Sequence, residues 1–299
     1  MTHAHAVAER NTRNAAGFKH EVECNGGGNL MIHDKILVDN RCIAIVDFGC
    51  NENNNNGETV LLLHGAMGRA TCWYPIVDGL IGAGFRVIGV DQRGHGRSDK
   101  AETYEVDDFV ADLEAVVEAY HSPVIIVGHS LGGLVACRFA ARHGKYVKKI
   151  VIEDISCNGD RTNLDEYVEW FDKWPVPFST ISDIRKYFDS VRPGLGDYFQ
   201  ETFKEREDGY HPFINFEDVL CALSSISKQS FWDDLLTITC PALVIKGGKS
   251  DYPREELMEM ADRLSQGTYC EIDNAFHVVH HDFPELWLQA VLPFLGANM

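Results

Sequence analysis

The chain has 299 residues, 45% hydrophobic and 24% charged, and its 45 Asp and Glu against 27 Lys and Arg give a formal charge of −18. A chain of this size buries roughly three quarters of its unfolded surface, so disorder is excluded and no disulfide or metal staple is needed. An acidic balance without a basic stripe excludes nucleic acid and anionic headgroups as partners, and no run of 18 apolar residues marks a membrane span.

The first 18 residues lack a basic start followed by an apolar run, so no export signal is expected and the protein reads as soluble and cytoplasmic. Nine cysteines form an odd set without a CxxC pair. They are expected to be reduced and mostly buried. The closely spaced histidines are His277, His280 and His281, which do not have metal-ligand spacing, so neither a metal nor a cofactor is expected.

From residue 31 onward, short Val- and Ile-rich runs alternate with helix-period segments, the pattern of crossover units on a parallel sheet. Residues 31–49 read as an antiparallel pair, followed by strands over 58–65, 85–92, 123–130, 148–156, 241–248 and 268–273. Between the first pair and the third strand, the asparagine-rich run 51–57 predicts an exposed loop. One helix shows a clear buried face through Val106, Phe109, Val110, Leu113, Val116, Val117 and Tyr120. Residues 158–239 break the alternation with helical patterns and no convincing strand. They hold 15 of the 31 aromatic residues, so some of those rings are expected to line a pocket.

The run Gly128-His129-Ser130-Leu131-Gly132 matches G-x-S-x-G between a buried strand and a helix, where a sharp turn projects a serine hydroxyl above the sheet edge. A serine is a weak nucleophile near neutral pH and needs a histidine base, itself oriented by a carboxylate. Two acids follow downstream strands, Asp251 and Asp154. Asp251 is favoured because it lies on a Gly- and Ser-containing loop able to turn back toward a histidine, whereas Asp154 is tight against its strand and beside Glu153. His277, after the last strand, is the favoured base, with His280 and His281 as rivals. His64, His95 and His129 are assigned structural hydrogen bonds. Small residues after the strand 58–65, in His64-Gly65-Ala66-Met67-Gly68, allow the backbone N–H of Ala66 to join that of Leu131 as oxyanion donors.

The ordered set HGAMG, DQRGHGRSD (91–99), GHSLGG, GGKSDYP (247–253) and AFHVVHHDFPE (275–285) resembles the α/β-hydrolase fold family over nearly all of the chain from residue 31. The resemblance implies an α/β fold with an eight-stranded, mostly parallel sheet flanked by helices. It divides the chain into an extension (1–30), a core (31–157 with 240–299) and a helical cap (158–239) inserted after the sixth strand. It implies Ser130 as nucleophile, Asp251 as acid, His277 as base, and Ala66 and Leu131 as oxyanion donors, with residues 91–99 as a structural turn. Phe276 stands where family members often carry Gly before the base.

A serine at position 130 argues against the dehalogenase and epoxide hydrolase branches, which use a carboxylate nucleophile. The expected function is cleavage of a small, largely apolar carboxylic ester through an acyl-enzyme. Lactonase, thioesterase, aminopeptidase, perhydrolase and carbon–carbon hydrolase chemistry use the same triad, and an aminopeptidase would anchor its substrate's amine on an acid such as Glu166, Asp172, Glu201 or Glu217. A small-molecule sensor with slow or no turnover is the reading from a different class. The partner in every case is a small molecule.

Overall fold

The computed structural model describes residues 21–24, 30–51, 53–121, 123–159 and 162–297. Most of the 1–30 extension therefore lies outside the described residues, as does position 52 of the asparagine run. The chain opens with β1 (Glu21–Cys24), β2 (Leu30–Val38), β3 (Arg41–Gly49) and β4 (Thr59–Leu63). It continues through α1 (Tyr74–Gly82), β5 (Arg86–Val90), α2 (Val106–Ala119), β6 (Val124–His129), α3 (Leu131–His143) and β7 (Val147–Glu153). An insertion follows, made of α4 (Leu164–Phe171), α5 (Ile181–Val191), α6 (Leu195–Gln200), β8 (Phe203–Arg206), β9 (Gly209–Pro212), α7 (Phe216–Ser227) and α8 (Trp232–Leu235). The chain closes with β10 (Ala242–Gly247), α9 (Arg254–Arg263), β11 (Gly267–Ile272), α10 (Val279–Asp282) and α11 (Pro284–Leu295).

The main sheet runs β1-β2-β3-β5-β4-β6-β7-β10-β11. The strands from β5 to β11 in that order are parallel, while β1, β2 and β3 are antiparallel to their neighbours. All eight strands expected from the sequence are present, and β1 adds a ninth by pairing with β2 inside the segment that had no assignment. The apolar strand runs follow from burial on both faces. Val60 and Leu62 of β4 pack with α1 and α11 residues such as Ile76, Leu80, Trp287 and Val291. Leu61 and Leu63, pointing the other way, pack with α2 and α3 residues such as Val110, Leu113, Leu134 and Phe139. The α2 face read from periodicity is buried from Val106 to Val117, and its start is fixed by reciprocal capping between Glu105 and Asp108.

No convincing strand was expected in residues 158–239, yet β8 and β9 form an antiparallel hairpin there. Its strands carry Lys204, Glu205 and Arg206 after a single buried Phe203, so no apolar alternation marks them. The turn is set by Gly209 at φ 129°, and Phe178 bridges to Tyr210 on the far strand. Phe171, Trp174, Phe178, Phe188, Phe199 and Phe203 are buried against one another and give the insertion its own aromatic core. The asparagine run is an exposed loop over 53–57, tied to the turn after α1 by Asn54 and Asn56. Among the eight cysteines whose side chains are described, all are unpaired and only Cys72, Cys137 and Cys157 are buried, fewer than expected. No helix of the described residues is long and apolar enough to cross a membrane.

Candidate active site

Ser130 sits between β6 and α3 with φ 52° and ψ −120°, a left-handed conformation that an ordinary residue adopts only when its surroundings enforce it. The enforcement comes from two glycines. A Cβ on Gly128 would lie 2.2 Å from the carbonyl oxygen of Gly132, and a Cβ on Gly132 would lie 2.2 Å from that of Leu63. Only bare backbone lets α3 pass so close to the sheet, and the tight turn lifts the serine to the carboxyl edge. The Ser130 N–H donates to the Glu153 carbonyl at 2.9 Å, pinning the turn to β7.

Parallel strands bring their carboxyl ends to one edge, where the strand order reverses about β4. Ala66 follows β4, Ser130 follows β6, Asp154 follows β7, Ser250 follows β10 and His277 follows β11. Nδ1 of His277 is 2.8 Å from Oδ2 of Asp154, whose side chain is fully buried, whereas that of His277 is 41% exposed. The same carboxylate accepts from the Ser250 hydroxyl at 2.6 Å and the Gly247 N–H at 2.9 Å. These donors satisfy a charge that burial would otherwise penalise. An Nδ1–H donated to Asp154 leaves Nε2 of His277 as the acceptor.

The carboxylate that meets His277 is not the one expected from the sequence. Asp251 is exposed and lines the cavity wall, and the carboxylate bonded to His277 is that of Asp154. Asp154 takes φ 49°, and its N–H extends the β7–β10 pairing by donating to Ile245. That bend turns the side chain across the sheet edge toward the loop after β11, so closeness to the strand is no obstacle. Ser250, unassigned from sequence although it lies in GGKSDYP, supports the carboxylate.

Next to Asp154, Glu153 points to the opposite face, as alternate strand residues must. Its buried carboxylate accepts from the backbone N–H of His280 and the indole of Trp287, with Nδ1 of His280 also 2.8 Å away. Burial pushes the Glu153 carboxyl up to about 7 and the His280 imidazole down to about 3. His280 is therefore a buried, neutral anchor of the His277 loop, stacked on Trp73. His281 is likewise held down at about 4 by burial.

His64, His95 and His129 are buried and hydrogen-bonded. His129 Nε2 meets the His277 carbonyl at 2.8 Å, and burial followed by the nearby His277 keeps its ring neutral. His64 accepts from the Gln92 N–H, and His95 reaches the Ala66 carbonyl at 2.7 Å, steadying that peptide. Asp91 accepts from Ala70 and Arg97, in keeping with a structural turn.

Gly65, Ala66, Ser130 and His277 line one cavity of about 260 Å³, together with Tyr167, Trp170, Tyr198 and Phe199 from the insertion. Leu131 directly follows Ser130 as the first residue of α3. The wall also carries Arg192 and Lys249, cations that the apolar reading of the pocket missed because charge pattern does not show where a side chain points. Among the described residues no three His, Cys, Asp or Glu side chains are grouped to hold a metal ion.

Comparison with known proteins agrees with this architecture. The chain is 26% identical over 252 residues to 2-(acetamidomethylene)succinate hydrolase of Mesorhizobium japonicum, covering 81% of this chain and 89% of that protein. It is 25% identical over 262 residues to an sn-1-specific diacylglycerol lipase of Danio rerio, covering 82% of this chain and 80% of the lipase. The crystal structure of E-2-(acetamidomethylene)succinate hydrolase superposes with a TM-score of 0.78 at 22% identity, over 89% of this chain and 100% of that one. The profile of the alpha/beta hydrolase family matches residues 60–290, and the chain belongs to that family.

Proposed function

We propose that the protein is a serine hydrolase that cleaves a small carboxylic ester, or a related acyl compound, through an acyl-enzyme. The observation that carries this reading is the hydrogen bond between the buried Asp154 carboxylate and His277, opening on the cavity that Ser130 lines. Ser130 Oγ attacks the carbonyl carbon while its proton passes to Nε2 of His277, and Asp154 stabilises the resulting imidazolium. The backbone N–H groups of Ala66 and Leu131 receive the oxyanion, a donor pair in which each member is worth about 10²- to 10³-fold in turnover. His277 then protonates the leaving group as the intermediate collapses. Water repeats the sequence, giving its proton to His277 and releasing the acid with Ser130 restored.

Two relatives are named as a hydrolase and a lipase, which fits hydrolytic chemistry on a small-molecule substrate. The test is hydrolysis of p-nitrophenyl esters of increasing chain length by the wild type and Ser130→Ala, with labelling by a fluorophosphonate probe. Turnover and labelling are expected in the wild type, with a loss of about 10⁴-fold or more in the variant. Labelling and turnover that survive Ser130→Ala would overturn the mechanism.

A further inference from the structure

The cavity wall brings together two cations from distant parts of the chain. Arg192 caps α5 in the insertion, and Lys249 lies on the loop after β10. Both stand over the ring of Phe276, the residue before His277. The Arg192 guanidinium carbon is 4.7 Å from the ring centroid and the Lys249 ammonium 5.5 Å from it. Both side chains also line the cavity that Ser130 and His277 line. Arg192 is held by Asp282 at 2.7 Å, and the other oxygen of Asp282 accepts the Phe276 N–H at 2.8 Å. The guanidinium is thus fixed to the loop that carries His277, with Nη1 engaged and further donors on the fork.

Lys249 is different. Among the described residues no carboxylate lies within 4.0 Å of its ammonium. Asp251 is the one carboxylate among the described residues lining this cavity, and it also borders a second cavity, with Glu166, beyond Tyr167 and Trp170. Around Phe276 the cavity wall thus carries two cations, of which Arg192 is paired with Asp282, while Asp251 is the acidic group of the lining. A chain of net charge −18 repels anions at long range, so recognition of an anion has to be built locally.

We propose that Lys249, with Arg192 on the same cavity wall, forms an anion subsite in the catalytic cavity, and that the substrate carries a carboxylate in addition to the acyl group attacked by Ser130. The substrate class is the half-ester or half-amide of a small dicarboxylic acid. This rests on the serine hydrolase reading above. A carboxylate entering an apolar, aromatic-walled cavity loses hydration, and a nearby ammonium and guanidinium replace it with charge-assisted contacts. An uncharged ester gains nothing from either cation.

The test compares monomethyl glutarate with methyl pentanoate, of similar length and differing in the terminal carboxylate, using wild type, Lys249→Gln, Asp251→Asn and Ser130→Ala. The readout is the ratio of kcat/KM for the charged ester to that for the uncharged one. It is expected to favour monomethyl glutarate in the wild type, to fall about tenfold in Lys249→Gln and to rise in Asp251→Asn. The wild-type preference also weakens with added salt, because Lys249 is exposed. A wild-type preference for methyl pentanoate, with ratios within about twofold across the two charge variants, removes the subsite and leaves the hydrolase intact. Undiminished turnover of both esters by Ser130→Ala removes the hydrolase reading instead. Calorimetric titration of glutarate gives a readout independent of turnover. Weaker binding to Lys249→Gln than to wild type supports the subsite, and equal or absent binding overturns it.

Discussion

Oδ2 of Asp154 lies 2.8 Å from Nδ1 of His277, a contact between residues 123 positions apart in the chain. The pair exists because β7 and β11 both flank β10, so their carboxyl ends converge, and because Asp154 bends at φ 49°.

Asp154→Asn is expected to lower kcat for an uncharged ester by about 10³- to 10⁴-fold, since an amide can present its N–H to His277 and favour the wrong tautomer. Asp251→Asn, at an exposed position on the cavity wall, is expected to stay within about tenfold of wild type on the same ester. Steady-state kinetics on both variants decide between the two acids. The reverse order of effects would return the role to Asp251.

Gly128→Ala tests the turn that holds Ser130. Its added methyl meets backbone at 2.2 Å, which no rotamer change relieves, so β6 and α3 must separate. A loss of about 3 kcal/mol in unfolding free energy is expected, together with loss of turnover. Urea denaturation monitored by tryptophan fluorescence measures the first, and a variant as stable as wild type would show that the close approach is not required.

Glu153 gives the fold a distinct pH dependence. Burial raises its carboxyl from 4.5 to about 7 in the folded chain, so the folded state holds this proton more tightly than the unfolded state. The associated stability is fully present below about pH 4.5 and is lost as pH rises through about 7, amounting to about 3 kcal/mol. Glu153→Gln cannot ionise. The stability of wild type relative to the variant should therefore fall between pH 4.5 and 7, measured by urea denaturation across that window. A difference that does not change with pH would show that Glu153 is ionised throughout.

Much of the fold was legible before any coordinate. The central strands β4 to β7 and β10 announced themselves because both faces of the sheet are covered there, which demands uninterrupted apolar runs. Ser130 was legible because its turn needs glycine at 128 and 132, a requirement written in residue type. The β8–β9 hairpin was not, since one buried phenylalanine and three charged residues make no pattern, and its pairing depends on Gly209 and Phe178.

What the sequence determined by itself was the set of groups delivered to one sheet edge: Ala66, Ser130, Asp154, Asp251 and His277 all follow strands, and parallel strands end on the same side. Which acid meets the histidine, and which cations face the cavity, were decided only by tertiary structure. Hydrogen bonds form over about 3 Å, and a single backbone angle at Asp154 or the crossing of Arg192 over Phe276 moves a side chain farther than that. Spacing along the chain does not encode such displacements. They are set by the packing of β7 against β10 and of the insertion against the His277 loop.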